Sequence, residues 1–513
     1  MLFNSYPFLL LFLPVTFAGF FLAARASHTL ALGWLTVASL GFYGWWNPAY
    51  VGLLLASIVF NFLVGRAIVR AAGGTGARRL LALGVGANLL LLGYYKYADF
   101  FVANLNQLGV ALPLSHVVLP LGISFFTFTQ IAFLADAYQG KAQEYRFIHY
   151  GLFVTYFPHL IAGPVLHHRE MMPQFGRAET FRLDWENLAV GLTIFFIGLF
   201  KKTVIADGIG VYARAVFDAP GLGVPLSATD AWGGALAYTF QLYFDFSGYS
   251  DMAIGLSRLF GVRLPLNFAS PYKAASIIDF WRRWHMTLSR FLRDYLYVPL
   301  GGNRHGKARR YVNLMATMLL GGLWHGASWT FVAWGGLHGA YLLINHAWRE
   351  LRERAGWTWP SGRAARAAAV LLTFLATVVA WVFFRADSLD HAYAILHAMS
   401  GANGVTLPYR WLDRLGDVGP WLATQGVRFE NVYTFGGGPQ LNWLLACALI
   451  VWWAPNTQEI LRAFRPALGV KEGGPQRGWR WRPAWPWLAF SGAAAAASIL
   501  SLTSVSEFIY FQF

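Results

Sequence analysis

The chain has 513 residues, 57% of them hydrophobic and only 12% charged, about half the charged fraction of an average soluble domain. That balance excludes a large soluble enzyme and points to a polytopic membrane protein. The net charge of +16 does not signal nucleic acid, because the basic residues fall in short loops between apolar spans, where a topology signal would place them. The single cysteine, Cys447, excludes an intrachain disulfide framework and argues against a thiolate metal site.

A helix needs about 20 apolar residues to cross the hydrocarbon core. In chain order the predicted spans are 7–24, 30–46, 51–68, 80–102 and 119–138, then 188–200, 232–260, a pair within 311–347, and finally 367–384, 441–453 and 487–502. The fold class is therefore an all-α polytopic membrane helical bundle, with about 11 or 12 membrane elements, some short or re-entrant. Residues 1–24 lack a basic leader and read as a first transmembrane helix that stays attached. Arg66, Arg70, Arg78 and Arg79 mark one cytoplasmic loop, Arg349, Arg352, Arg354, Arg363 and Arg366 a second, and Arg462, Arg465, Lys471, Arg477, Arg480 and Arg482 a third. Alternating the spans between them puts both termini outside. Lys201-Lys202 fits poorly near the outer end of its span, so that segment is short or broken, or its lysines line a cavity.

The cytoplasmic stretch 263–310 carries Arg263, Lys273, Arg282, Arg283, Arg290, Arg293, Arg304, Lys307, Arg309 and Arg310 against only Asp279 and Asp294. Trp281, Trp284, Leu288 and Phe291 recur at helical spacing, which predicts an amphipathic helix on the inner membrane surface. Two readings are compatible: attraction to anionic lipid headgroups, and an entrance for a polyphosphate-bearing donor held by Arg282, Arg283, Arg290 and Arg293. Residues 311–347 suffice for a hairpin of two spans. Its first arm, 311–324, would rise only about 21 Å, short of the membrane core. The Gly321-Gly322 pair and Gly326 then allow a bend or close packing, leaving His325 within the membrane near the end of a broken helix. The loop 385–440 lies outside and is too irregular for an independent catalytic domain.

An ionisable group in so apolar a stretch is a functional-site hypothesis by default. A neutral imidazole at His325 can take a proton from an attacking hydroxyl, and His285 could orient the substrate or donate to a developing oxyanion. The plainer reading makes His325 a hydrogen-bonding group between helices. Trp324 and Trp329 read as packing residues, His338 as core or as support behind the site, and Asp245 and Asp251 as groups that line a cavity or satisfy neighbouring helices. His159, His167 and His168 lack carboxylate or cysteine ligands at metal spacing, apart from Glu170 beside Arg169, so no metal site is expected. Nothing resembles a phosphate-binding loop, a dinucleotide fingerprint or a serine-hydrolase elbow.

The runs Leu119-Pro120-Leu121-Gly122-Ile123-Ser124-Phe125-Phe126 and Phe157-Pro158-His159-Leu160-Ile161-Ala162-Gly163-Pro164 resemble the membrane-bound O-acyltransferase (MBOAT) family. So do residues 241–252, residues 279–303 with Tyr295-Leu296-Tyr297-Val298-Pro299-Leu300, and residues 321–339. The likeness makes 1–513 a single domain and is nearest to the branch that O-acetylates bacterial exopolysaccharides such as alginate. It implies His325 as catalytic histidine and His285 as the second active-site polar position. It also implies acetyl-CoA as donor substrate, with no bound cofactor, and a funnel from the cytosol across the bacterial inner membrane. The tail 506–513 resembles a C-terminal motif of this branch in which a tyrosine, here Tyr510, carries the acyl group; its plainer reading is an aromatic anchor. An extracytoplasmic SGNH-type acetyltransferase is the implied partner, handing acetyl to a polysaccharide acceptor. Cellulose, peptidoglycan or another wall polymer are alternative acceptors. A transporter without chemistry is the alternative of another class.

Overall fold

The computed structural model describes residues 1–71, 73–142, 146–357, 362–430, 434–470 and 479–503. Among them the chain is a helical bundle, with one pair of three-residue parallel strands, Thr406–Pro408 and Arg428–Glu430. Among the described residues five helices are long and apolar enough to cross a membrane: Phe8–Ala26, Ala49–Arg70, Gly74–Gln107, Trp185–Leu222 and Arg363–Arg385. The protein is an all-α, multi-pass membrane protein, as its hydropathy predicts.

At the centre runs Ala228–Leu259, 32 residues long and buried along almost its whole length. A capping box starts it: Ser227 accepts from the Asp230 amide, and Asp230 returns a bond to the Ser227 amide. It packs on Trp185–Phe200 through a seam of glycines. A Cβ on Gly198 would lie 2.6 Å from the Gly248 carbonyl oxygen, and one on Gly255 equally close to that of Gly191. With little hydrophobic force between helices in lipid, such close backbone approach is what holds them together.

This helix also carries Asp245 and Asp251, which find their partners on Trp185–Leu222. Lys202 bridges Asp245 at 2.8 Å and Asp207 at 2.7 Å, while Lys201 meets Asp251 at 2.6 Å. The segment that seemed short or broken is one continuous helix with a π-turn at Lys201–Ala206, and its lysines face buried carboxylates.

Two local expectations are corrected. Residues 281–291 do not form one surface helix. Ile277–Trp281 and Met286–Leu292 are separate short helices, and the chain between them turns inward at His285. Trp284, Leu288 and Phe291 are buried in the bundle. Nor is the first hairpin arm short: it is Gly306–His325, 20 residues, about 30 Å long. Its charged start is helical too, with Lys307 pairing with Glu350 on the second arm, Trp329–Arg354. The arms touch at Gly322 and Gly335. A Cβ on Gly322 would lie 2.2 Å from the Phe331 carbonyl oxygen, and one on Gly335 only 2.3 Å from that of Met318. These glycines serve close packing, not a bend. The loop 385–440 holds short helices, Leu389–Met399 among them.

Candidate active site

The first arm ends on His325 because Gly326 takes an extended backbone, φ −163° and ψ 151°. Ser328 then caps the second arm by accepting from the Thr330 amide. The His325 ring is wedged edge-on among Trp324 at 4.9 Å, Trp334 at 5.1 Å and Phe384 at 5.1 Å. Trp324 in turn stacks on Phe128. Aromatic walls of this kind restrict an imidazole to few orientations.

His285 packs near the same tryptophan, Trp324. It is buried, sits edge-on to Phe246 at 4.8 Å, and lies 6.4 Å from the Trp324 ring. Both rings lie against Trp324, which makes the two predicted histidines neighbours; of the two, His325 is the one that lines a cavity. The His285 backbone is left-handed, φ 41° and ψ 54°, a conformation that costs a non-glycine residue about 1–2 kcal/mol.

One residue that the sequence reading passed over holds His285 in place. The Oδ1 of Asn267, itself fully buried, accepts from the Thr287 amide at 3.3 Å and the Thr287 hydroxyl at 2.9 Å. A main-chain N–H only donates, so this atom is the amide oxygen. His285 Nδ1 lies 3.1 Å from the same oxygen and must therefore be its donor. In the neutral ring Nε2 then bears the lone pair. Neutral His285 accepts a proton at Nε2; donating to an oxyanion from that atom would require the imidazolium.

Two cavities approach this centre from opposite ends of the hairpin. One, about 580 Å³, has His325 and Trp324 in its wall, together with Lys96, Phe125, Trp45 and Trp46. The other, about 830 Å³, is lined by Arg282, Arg290, Arg293 and Arg310, and reaches Thr317 and Met318. Met318 is about 10 Å along the helix from His325. Both volumes suit small-molecule sites.

The four predicted donor arginines are not equivalent. Arg290 is clamped by Glu170 in a two-pronged pair at 2.6 and 2.8 Å. Arg293 pairs with Asp294 at 2.7 Å. Arg283 pairs with Asp279 at 2.9 Å and does not line the cavity. Among the described residues Arg282 makes no ion pair. Arg310, absent from the predicted set, donates to the Tyr311 hydroxyl at 3.1 Å and lies over its ring, and it too makes no ion pair among the described residues.

The remaining polar groups are structural. His159 Nε2 meets the Phe153 carbonyl oxygen at 2.7 Å, His168 pairs with Asp136 at 3.3 Å, and His167 meets the Tyr295 hydroxyl at 3.1 Å. Trp329 is half exposed and donates to Asn104. His338 is buried among Phe280, Trp281, Trp334 and Trp381. Tyr510 and the tail 506–513 lie outside the described residues.

A histidine in the wall of one cavity and about 10 Å along its helix from a second suits a transferase whose substrates arrive from opposite ends. Known proteins agree on the class. The model of the MBOAT, membrane-bound O-acyltransferase family, matches residues 16–384. The chain belongs to the membrane-bound O-acyltransferase family and is an acyltransferase. It is 47% identical over 451 residues to the peptidoglycan O-acetyltransferase of Helicobacter pylori, covering 81% of this chain and 84% of that one. It is 40% identical to the probable alginate O-acetylase AlgI of Pseudomonas aeruginosa, over the whole of both chains. A teichoic acid D-alanyltransferase of Streptococcus thermophilus is 27% identical over 66% of this chain and 90% of its own.

Proposed function

We propose that the protein is an O-acetyltransferase of the bacterial inner membrane that moves acetyl from cytosolic acetyl-CoA to the outer face, for O-acetylation of an exopolysaccharide, alginate first. The observation that carries this reading is the position of His325, in the wall of one cavity and about 10 Å along its helix from the other. The basic cavity takes the donor, whose phosphates fall to Arg282 and Arg310, the two lining arginines with no ion pair among the described residues. The thioester arm then runs along the hairpin towards His325.

At His325 the neutral imidazole takes the proton of an attacking hydroxyl. The hydroxyl oxygen bonds to the acetyl carbon, the carbon–sulfur bond breaks, and the proton passes to the departing thiolate. His285, with Nε2 as acceptor, orients that hydroxyl. The hydroxyl is the phenol of Tyr510, which carries acetyl outward to an extracytoplasmic SGNH-type acetyltransferase, and this partner completes transfer to the polymer. The relative named for peptidoglycan favours one second reading, the same chemistry with peptidoglycan as acceptor.

The test is to incubate the protein in lipid nanodiscs with isotopically labelled acetyl-CoA and map the label by peptide mass spectrometry. Label on the C-terminal peptide that disappears in His325→Ala is the expected result. CoA release without bound label would remove the carrier step. Undiminished polymer acetylation in cells carrying Tyr510→Phe would do the same. Acetyl analysis of alginate and peptidoglycan from a deletion strain decides the acceptor.

A further inference from the structure

The end of the histidine helix has an unusual fastening. The last carbonyls of any helix need partners, and in lipid an unmet carbonyl is costly. Main-chain turns normally provide them. Here the chain leaves His325 in an extended conformation, and the partners come from a helix more than 200 residues upstream. Lys96 Nζ donates to the Trp324 carbonyl at 2.6 Å and the His325 carbonyl at 3.1 Å, with Ser124 Oγ at 3.5 Å. Three acceptors match the three N–H groups of an ammonium. The adjacent Tyr97 hydroxyl donates to the Leu323 carbonyl at 2.9 Å. Both side chains come from the π-turn Gly93–Tyr97 inside Gly74–Gln107. Such turns are rare and concentrate at functional sites.

Lys96 also lines the same cavity as His325, and among the described residues no carboxylate pairs with it. The negative end of the histidine helix is its electrostatic partner. We infer that Lys96 is a positioning residue: its ammonium, bonded to the last two carbonyls of the histidine helix, sets the reach of His325 into the cavity. The aromatic walls hold the ring to few orientations, so its position follows its main chain, which the lysine holds. The inference rests on His325 as the base of the reaction and is independent of which donor supplies acetyl.

The experiment measures polymer-bound acetyl in cells expressing wild type, Lys96→Met, Lys96→Arg or His325→Ala at matched membrane levels, with folding checked by gel filtration in detergent. Loss of position costs about ten- to a hundred-fold in rate, so Lys96→Met should lose at least about ten-fold. Lys96→Arg, which keeps cation and donors, should recover most of it. In vesicles, added methylammonium should restore part of the activity of Lys96→Ala through the cavity, a rescue that a general packing defect would not show. A folded Lys96→Met with wild-type acetylation overturns the inference, provided His325→Ala is inactive. Wild-type acetylation in His325→Ala overturns the base assignment and this inference together. If Lys96→Met does not fold, Lys96→Gln decides, since it keeps donors without charge: acetylation within about two-fold of wild type would show that no cation is needed.

Discussion

Replacing Gly322 with alanine tests whether the hairpin sets the chemistry. The new methyl carbon would lie 2.2 Å from the Phe331 carbonyl oxygen and 3.1 Å from the Gly335 Cα. Ordinary contact starts at 3.4 Å, so the arms must part by more than about 1 Å. Neither neighbour is a flexible side chain that could step aside; both are backbone. Overpacking of this sort costs about 1–3 kcal/mol of stability. Gly322 precedes His325 by less than one helical turn, so the separation passes to the imidazole, and a displacement of about 1 Å costs on the order of 100-fold in rate. Gly86→Ala is the control, since nothing lies within 4 Å of its added carbon and alanine favours a helix by up to about 1 kcal/mol. The assay is CoA release from acetyl-CoA by protein in nanodiscs, beside a thermal melt followed by gel filtration. Gly322→Ala with wild-type turnover would show that His325 does not depend on the tight crossing, and would refute the argument.

Three further outcomes are expected. Asn267→Leu should lower turnover by about ten-fold or more, because it frees the His285 tautomer; an unchanged rate would show that the tautomer is immaterial. Arg282→Ala and Arg310→Ala should raise the KM for acetyl-CoA with little change in kcat. Arg290→Ala should mainly lower the Tm, because it leaves Glu170 without its clamp; equal KM effects at all three positions would contradict the division between available and neutralised arginines. Lys202→Met removes the cation shared by Asp207 and Asp245 and should cost about 3–5 kcal/mol, read as loss of folded protein in the same melt; an unshifted melting curve would show that the pair contributes little.

Hydropathy made the bundle legible, because twenty apolar residues with few charges have one stable solution in lipid. Motifs singled out the two candidate histidines, and the fold brings both against Trp324. What escaped depended on distant partners. The break at residue 285 has no glycine or proline to announce it; His285 turns left-handed where its ring meets Asn267, 18 residues upstream. Asn267 itself, in Pro265-Leu266-Asn267-Phe268, reads as a turn residue. The arginines looked alike in a basic stretch, and only the fold brings Glu170, 120 residues away, onto Arg290. Lys96, flanked by tyrosines in Gly93-Tyr94-Tyr95-Lys96-Tyr97, has the pattern of an interfacial cation, yet it caps a helix in the core. A signal was present for it: a lysine well inside a span is expensive and asks for a partner.

The left-handed backbone at residue 285 acts as a filter on evolution. Glycine, asparagine, aspartate and histidine tolerate that conformation best, whereas β-branched residues do so poorly. Of the tolerant residues only three bring a side chain able to exchange hydrogen bonds with a substrate. The chemistry open to this position is therefore drawn from a short alphabet set by steric rules before any substrate is met. A saturation library at 285, sorted first for folded protein and then for acetylation, would be expected to lose most of its members at the first sort.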